Sequence, residues 1–190
     1  MPFRNCFLKI NYANRKSACR KLLKNQDSME KPGIRVGIGY DVHRLVEGRE
    51  LWLGAIRIPS RLGALGHSDA DVLLHAICDA MLGALSLGDI GIHFSDKSAE
   101  FKGIASIELL KRTYSLIRQK GWQVGNVDCA LILQAPKIAA YVPEMCAAIA
   151  AVLEIAPDDV SIKATTAEQL GFAGEMKGIE AKAVCLLYRG

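Results

Sequence analysis

Three side chains in the first half of the sequence, Asp41, His43 and His75, could together bind a divalent metal ion, and we call them the metal triad. On an extended strand Asp41 and His43 point the same way, because successive side chains alternate between the two faces. One carboxylate and two imidazoles suit zinc and leave its fourth position for water or substrate. A DxH pair also occurs by chance, and a lone helical His is more often a satisfied core residue. The spacing alone therefore leaves a metal site and a structural role equally open.

Two elements must position these side chains. Residues 34–40 alternate apolar side chains with Arg and Gly, which predicts a strand that ends just before the DxH pair. Residues 68–71 are small and polar and can accept hydrogen bonds from free backbone N–H groups, which predicts the start of a helix. That helix carries His75 and is expected to end near Gly83 or Gly88.

The rest of the sequence interleaves strands and helices without a repeat or a low-complexity linker. The periodicity predicts short strands at 51–53 and 55–58, an irregular loop around Gly63 and Gly66, helices at 106–120 and from Pro143 onward, and strands at 127–133, 160–164 and 180–188. We therefore predict an α+β fold. A single domain over residues 33–190 contains a mixed β-sheet packed on one side by helices.

Residues 1–32 differ in composition from the rest. They contain eight Lys or Arg and two Asp or Glu, whereas residues 33–190 contain 16 basic and 18 acidic residues. The segment lacks the continuous apolar core of a secretory signal, so an organellar targeting peptide and a dispensable extension compete as interpretations. We favour a basic, disordered extension, because Met29 stands just before the first predicted strand and is a natural start. The expected location is then the cytoplasm, with a plastid as the alternative if the segment is a transit peptide.

The composition excludes several classes of protein. The chain is 51% hydrophobic and 23% charged, as in a soluble globular protein. Its apolar stretches stay below the roughly 18 residues of a membrane span, and the near-neutral body gives no reason to expect nucleic-acid binding. The six cysteines form no CxxC pair, which favours reduced thiols in a cytoplasmic-type compartment over a zinc finger.

Five blocks of the sequence resemble the 2-C-methyl-D-erythritol 2,4-cyclodiphosphate synthase family. They occur in the family's order and spacing from about residue 33 to residue 190. The blocks are residues 39–43 (GYDVH), 66–76 (GHSDADVLLHA), 87–91 (LGDIG), 134–137 (QAPK), and 163–168 with 170–172 (KATTAE and LGF). The resemblance implies a metal-dependent lyase of the non-mevalonate (methylerythritol phosphate) pathway of isoprenoid synthesis. Such an enzyme converts 4-diphosphocytidyl-2-C-methyl-D-erythritol 2-phosphate into the 2,4-cyclodiphosphate and releases CMP.

The resemblance also implies a site with two metal ions. The metal triad would hold Zn²⁺ or another divalent transition metal, and Glu168 would bind Mg²⁺ or Mn²⁺ with the substrate diphosphate. His67 and Thr166 would stabilise the transition state, residues 94–98 would form a mobile loop, and residues 133–139 would form the cytidine pocket. The implied substrate-binding residues are Asp41, Val42, His43, His67, Ser68, Asp89, Ile90, Gly91, Phe94, Ser95, Asp96, Lys97, Ser98, Leu133, Gln134, Ala135, Pro136, Lys137, Ile138, Ala139, Thr165, Thr166, Ala167, Glu168, Phe172 and Glu175. Family members are homotrimers with active sites between subunits, so a homotrimer is expected.

Three positions depart from the family pattern. Gln169 stands where the family often has Lys, which weakens one expected phosphate contact. Glu175 stands where many members have Arg, and Lys177 stands where they have Glu. This reversal of signs could preserve a salt bridge near the trimer axis. At that position Glu175 would repel a phosphate or diphosphate ligand.

Two other functions remain open from the residues themselves. The chain could be another zinc-dependent hydrolase of nucleotides or phosphate esters, which would release free phosphate instead of a cyclic product. It could also be a non-catalytic binding module with a structural metal. Structural zinc usually has four protein ligands, whereas only three converge in this sequence, which favours an enzyme.

Overall fold

The computed structural model describes residues 33–95 and 103–189, which form one mixed α+β domain. Its strands are β1 (Ile34–Glu47), β2 (Leu51–Leu53), β3 (Ile56–Ile58), β4 (Leu62–Ala64), β5 (Gln123–Ile132), β6 (Val160–Thr165) and β7 (Gly178–Tyr188). Its α-helices are α1 (Val72–Ala84), α2 (Ile90–His93), α3 (Ser106–Gln119), α4 (Val142–Leu153) and α5 (Gly171–Gly174), with short 3-10 helices at Ala139–Tyr141 and Pro157–Asp159. None of the described helices is long and apolar enough to cross a membrane. The predicted extension over residues 1–32 lies outside the described residues.

The main sheet has the strand order β4-β1-β7-β5-β6, and β2 and β3 form a separate hairpin. β7 is antiparallel to both β1 and β5, whereas β5 and β6 are parallel. The sheet is therefore mixed, as the sequence predicted. Because β5 and β6 run in the same direction, the segments that follow them leave the same edge of the sheet and become neighbours.

Helix α1 lies against β1 and β7, α3 packs on α1, and α4 packs on α3 and β6. The core is continuous across these contacts, and Leu74, Ile77 and Met81 of α1 are fully buried in it. The helices cover one face of the sheet, as predicted. On the other face, Val36 and Ile38 of β1 are 64% and 72% exposed in the single chain.

Two predictions about local structure were wrong. Asp41 and His43 lie inside β1 and not at its end, because the strand continues its pairing first with β7 and then with β4. Gly63 lies in β4, opposite Val46, and not in an irregular loop. A Cβ atom there would lie 2.3 Å from the carbonyl oxygen of Arg49, so the glycine permits a close approach of two backbone segments.

Two glycines of β1 bring α1 onto the strand. Gly37 and Gly39 point to the helix side of the sheet, as do the DxH side chains further along the same strand. A Cβ atom at Gly39 would lie 1.9 Å from the carbonyl oxygen of Ala76, and one at Gly37 would lie 1.9 Å from that of Ala80. The absence of side chains therefore lets helix and strand backbones touch, and this contact brings His75 beside Asp41.

Candidate metal centre and substrate cleft

The metal triad is assembled within the chain. His75 Nδ1 lies 3.0 Å from Asp41 Oδ2 and 3.2 Å from His43 Nε2, and His43 Nε2 lies 3.1 Å from the same Asp41 oxygen. Tetrahedral zinc with bonds of about 2.0–2.1 Å requires ligand atoms about 3.3 Å apart. The three donor atoms therefore already form a triangle of nearly the required size, which satisfies the geometric test for a metal site. They form the one such cluster among the residues that the structure describes.

The charges of the triad are coupled. Burial of Asp41 would raise its pKa, but the hydrogen bonds with His43 and His75 outweigh burial and hold this pKa below its ordinary value. Burial of His75 would lower its pKa, but the Asp41 carboxylate outweighs burial and raises this pKa above its ordinary value. The carboxylate is thus ionised and attracts positive charge, either a proton on the imidazole or a metal ion in its place.

The start of α1 fixes the position of His75. Asp71 is fully buried, and its side chain accepts hydrogen bonds of 3.2 Å from both Leu73 N and Leu74 N, as an N-cap does. It also accepts a bond of 2.7 Å from Ala55 N, which ties the helix to the β2–β3 hairpin. The predicted helix start is confirmed. His75, one turn later, is 7% exposed, and its backbone N–H donates to the Asp71 carbonyl at 3.1 Å.

The triad opens into a cleft of about 610 Å³. Residues of the predicted site that line this cleft are Asp41, His43, His67, Ser68, His75, Ile90, Gly91 and Phe94. The segment that carries His67 and Ser68 is held from both sides. The Arg49 guanidinium donates hydrogen bonds to the carbonyl oxygens of Gly66 (3.1 Å) and Ser68 (3.0 Å), and Gly103 N donates to the His67 carbonyl (2.9 Å).

A second wall of the cleft is attached to α1 through Asp79. Asp79 Oδ1 accepts a hydrogen bond of 2.8 Å from Ile90 N, and Asp89 Oδ1 caps the same short helix α2 through Ile92 N at 3.0 Å. Burial is the main cause that raises the pKa of Asp79. The segment Asp89–Gly91, which the resemblance assigns to the substrate sugar, is thereby fixed relative to His75, one helical turn before Asp79.

The predicted cytidine pocket and the Glu168 segment lie together at another part of the same sheet edge. Leu133 N donates to the Thr165 carbonyl at 3.1 Å, and Gln169 N donates to Gln134 Oε1 at 3.4 Å. Ala135–Pro136 is a cis peptide bond. Thr166 Oγ1 donates to Glu168 Oε1 at 2.5 Å. The predicted residues of this region that are exposed are Lys137, Ala139, Thr165, Thr166, Glu168 and Phe172, whereas Leu133 and Ile138 are buried and Val42 of β1 is exposed on the opposite face.

The sheet separates these two groups of residues within one chain. The strand registers place Asp41, Ala181, Leu131 and Ala164 in one row across the sheet. Three inter-strand steps of about 4.8 Å put Asp41 and Ala164 about 14 Å apart.

The loop predicted at residues 94–98 is described only in part. The predicted residues Asp96, Lys97 and Ser98 lie outside the described residues, whereas Phe94 and Ser95 are half-buried.

The reversed charge pair is an ion pair within the chain. Lys177 Nζ lies 2.5 Å from Glu175 Oε2, and both side chains are exposed. Phe172 and Lys177 line a larger cavity of about 850 Å³, which also includes residues of β1 from Val42 to Glu47. This cavity lacks the converging metal ligands of the smaller cleft, so the candidate active site remains at the triad.

Sequence reasoning missed three residues that hold the site. Arg49 lies before β2 and secures the loop of His67, Asp79 lies four residues after His75 on the same helix face, and Ser106 begins α3 and contacts His75. Only Asp79 had a usable signal, because residues four apart on a helix lie on one side. The other two are brought to the site by tertiary contacts alone.

The sequence is similar to known enzymes along almost all of the described region. The model of the YgbB family matches residues 34–188. A 2-C-methyl-D-erythritol 2,4-cyclodiphosphate synthase from Thiobacillus denitrificans is 58% identical over 157 residues, which cover 83% of this chain and 98% of that protein. A synthase of the same name from Bacteroides fragilis is 55% identical over 156 residues, which cover 82% of this chain and 98% of that protein.

Solved structures agree with the fold described above. The IspF of Plasmodium falciparum in complex with CDP superposes with a TM-score of 0.73 at 37% identity, over 84% of this chain and 99% of that chain. The bifunctional IspDF of Campylobacter jejuni gives a TM-score of 0.79 at 38% identity, over 83% of this chain and 42% of that chain. The match to the family model, the sequence identity to named synthases and the shared fold lead to one conclusion: the chain belongs to the YgbB family of cyclodiphosphate synthases.

Proposed function

We propose that this protein is a metal-dependent lyase that converts 4-diphosphocytidyl-2-C-methyl-D-erythritol 2-phosphate into 2-C-methyl-D-erythritol 2,4-cyclodiphosphate and releases CMP. The observation that carries the proposal is the metal triad, which opens into a cleft lined by His67, Ser68 and the Ile90–Gly91 segment. The identity of 58% to a synthase of this name supports the same reaction. The product belongs to the methylerythritol phosphate pathway of isoprenoid synthesis.

The nucleophile of this reaction is the substrate's own 2-phosphate, so the protein has to fold the substrate and neutralise charge. Asp41, His43 and His75 would hold a divalent ion such as Zn²⁺, which supplies a Lewis acid for a phosphate oxygen. His67 is exposed and lines the cleft, so its ring can hydrogen-bond to the diphosphate. Ser68 and the Asp89–Gly91 segment would orient the methylerythritol end of the substrate.

The segment after β6 supplies the second set of groups. Glu168 offers an exposed carboxylate, which suits a hard cation such as Mg²⁺ or Mn²⁺ on the substrate diphosphate. The Thr166 hydroxyl already donates to this carboxylate and can instead turn to a phosphate oxygen. Residues 133–139 would bind the cytosine base through backbone groups, with Lys137 near phosphate. The cyclisation then requires both groups of residues around one substrate.

A homotrimer with active sites between subunits would meet this requirement. Asp41 and the strand that leads to Glu168 are about 14 Å apart across the sheet of one chain, which favours a substrate held between the metal triad of one chain and the Glu168 segment of its neighbour. The apolar face formed by Ile34, Val36 and Ile38 is exposed in the single chain, as expected for a surface covered on assembly. Sedimentation equilibrium should give three times the mass of the chain, and a monomer would contradict this assembly.

The departures at 169, 175 and 177 refine the proposal. Gln169 uses its backbone N–H to join the Gln134 segment, but its side chain supplies no cation for phosphate. Glu175 is neutralised by Lys177 and brings no positive charge. We therefore expect no anion site at Glu175, and we expect Glu175 to contribute less to substrate binding than the other predicted residues.

A cytoplasmic location is also proposed. The alternative is a plastid, if residues 1–32 are a transit peptide.

A product assay tests the reaction. The purified protein is incubated with the cytidylyl substrate, Zn²⁺ and Mg²⁺, CMP is measured by chromatography, and the phosphorus products are identified by NMR. Equal amounts of CMP and cyclic diphosphate are expected. Free phosphate without a cyclic product would instead identify a zinc-dependent hydrolase, and no turnover of this substrate would overturn the proposal. Asp41→Asn, which keeps the size of the side chain, serves as the inactive control.

A further inference from the structure

The second ring nitrogen of His75 makes a contact that the metal triad itself does not require. His75 Nε2 lies 2.9 Å from Ser106 Oγ, and Ser106 is fully buried. The Ser106 hydroxyl in turn lies at short distance from Asp69 Oδ1. A chain of three side chains thus runs from Asp69 through Ser106 to the face of His75 opposite the metal triad.

The direction of the hydrogen bonds in this chain follows from the chemistry of the groups. An ionised carboxylate only accepts hydrogen bonds, so the single hydroxyl hydrogen of Ser106 is donated to Asp69. Ser106 Oγ must then accept a hydrogen bond from His75 Nε2–H. The neutral imidazole therefore carries its hydrogen on Nε2, and the lone pair of Nδ1 faces Asp41 Oδ2 and His43 Nε2, where a metal ion would bind.

We propose that Asp69 and Ser106 are positioning residues that fix the tautomer and ring orientation of His75 for metal binding. This inference rests on the proposed function, because it deepens the role of the metal triad. Hydrogen bonds from the second nitrogen of a ligating His commonly set its tautomer and raise its basicity. In this protein the Ser106 hydroxyl that contacts His75 is fully buried and shielded from solvent, while Asp69 behind it is half-buried.

A purely structural role must be separated from this one. Ser106 is the first residue of α3, and the preceding Ala105 has no side chain to cap the helix. Asp69 takes over this task, since its Oδ1 and Oδ2 accept from Ser106 N at 3.1 and 3.0 Å. Ser106→Ala keeps this backbone cap and removes only the hydroxyl. Asp69→Asn keeps one acceptor for the cap, but its amide can donate to Ser106 Oγ. This would reverse the direction of the hydrogen bonds between His75, Ser106 and residue 69.

The test measures metal affinity by competition with a chromophoric chelator. Ser106→Ala and Asp69→Asn should each bind Zn²⁺ about 10- to 100-fold more weakly than the parent protein. Ser115→Ala, which removes an exposed hydroxyl from the same helix, should bind Zn²⁺ as tightly as the parent. Unchanged affinity in Ser106→Ala, with circular dichroism that shows the native fold, would overturn the proposal.

Nitrogen-15 NMR of the imidazole provides a readout that needs neither metal nor turnover. In the metal-free parent protein, at a pH well above the pKa of His75, the hydrogen should reside on Nε2. In Asp69→Asn it should move towards Nδ1. A hydrogen on Nδ1 in the parent would overturn the proposal even if a variant failed to fold. Absence of zinc binding by the parent would instead contradict the proposed function, while the NMR result still decides the role of Asp69 and Ser106.

Discussion

The two groups of candidate site residues differ in how they are held. The metal triad lies between β1 and α1, and each donor atom lies within 3.2 Å of the other two. The Glu168 segment projects from the sheet edge, and Thr165, Thr166 and Glu168 are exposed. Side-chain packing therefore preforms the first group. The side chains of the Glu168 segment are positioned by its backbone and, in our proposal, also by the substrate and a neighbouring chain.

The backbone shows the same contrast. Glu168 and Gln169 have φ angles of 49° and 64°, a left-handed conformation that costs energy for residues other than glycine. The triad residues have ordinary strand and helix conformations. A metal ion can thus bind to a site of low strain, whereas Glu168 lies in a strained turn. The metal triad is therefore pre-organised independently of the Glu168 segment.

The largest effect is expected from a change that destroys the support of the triad. In Gly39→Ala, the new Cβ would collide with the backbone of α1, because it would lie 1.9 Å from the carbonyl oxygen of Ala76. We expect a loss of about 3 kcal/mol or more in the free energy of unfolding, together with loss of zinc binding. Urea denaturation and metal analysis measure both.

Gly83→Ala is the matched control for that change. Gly83 lies on an exposed position of α1, and a Cβ there would lie 3.7 Å from the nearest atom, the carbonyl oxygen of Ile38. This variant should gain up to about 1 kcal/mol from helix propensity. Equal stability of the Gly39 and Gly83 variants would contradict the role that we assign to the close helix–strand contact.

Removal of a triad ligand should abolish chemistry but leave the fold. His75→Ala is expected to lose bound zinc and to lower turnover by at least about a thousandfold, because several kcal/mol of charge stabilisation disappear. Product formation and zinc content are measured on the same sample. A variant without zinc that kept full turnover would show that the triad is not catalytic.

A substitution in the Glu168 segment should affect the proposed Mg²⁺ site without affecting zinc binding at the metal triad. Glu168→Gln keeps the shape of the side chain but removes its charge, and we expect turnover to fall about 10- to 100-fold with partial recovery at high Mg²⁺. The zinc content should stay at the level of the parent protein, because the triad lies elsewhere on the sheet. Loss of zinc in this variant would mean that the two halves are not independent.

The smallest expected effect is a change of zinc affinity with pH. Zinc competes with the proton on His75, whose pKa is raised above its ordinary value of about 6.5. Affinity should therefore fall about tenfold per pH unit below this raised pKa and level off above it. Calorimetric titration at several pH values gives the slope, and a pH-independent affinity would contradict competition at this imidazole.

The metal-free protein provides the control. Its free energy of unfolding should fall as pH rises through the pKa of His75, whereas zinc affinity rises up to that pKa and then levels off. Because the pKa of His75 is raised in the folded protein, its contribution to stability is present below the pKa of the unfolded state. This contribution is lost as pH rises through the pKa of the folded state. Because the pKa of Asp41 is lowered in the folded protein, its contribution to stability is present above the pKa of the unfolded state. This contribution is lost as pH falls through the pKa of the folded state. Their joint contribution is therefore largest between about pH 4 and pH 6.5.

Much of the fold was predictable because it depends on local patterns. The α1 start at Asp71, the helix that begins near Pro143 and the strands that became β5, β6 and β7 all lie close to their predicted positions. The end of β1 was misplaced, since Asp41 and His43 are polar and interrupt the apolar alternation. Pairing with β7 continues through them regardless, and only the tertiary structure contains that partner.

The amino-acid sequence was enough to identify the donor types of the metal triad and, through resemblance, the predicted residues of the Glu168 segment and the cytidine pocket. Donor chemistry is a property of each side chain and needs no fold. The fold was needed to show that Nδ1 of His75 faces Asp41, that Ser106, itself bound to Asp69, contacts the other ring nitrogen, and that Gly39 permits the close contact of α1 with β1. These relations join residues more than 30 positions apart, and the packing of α1 on β1 and of α3 on α1 creates them.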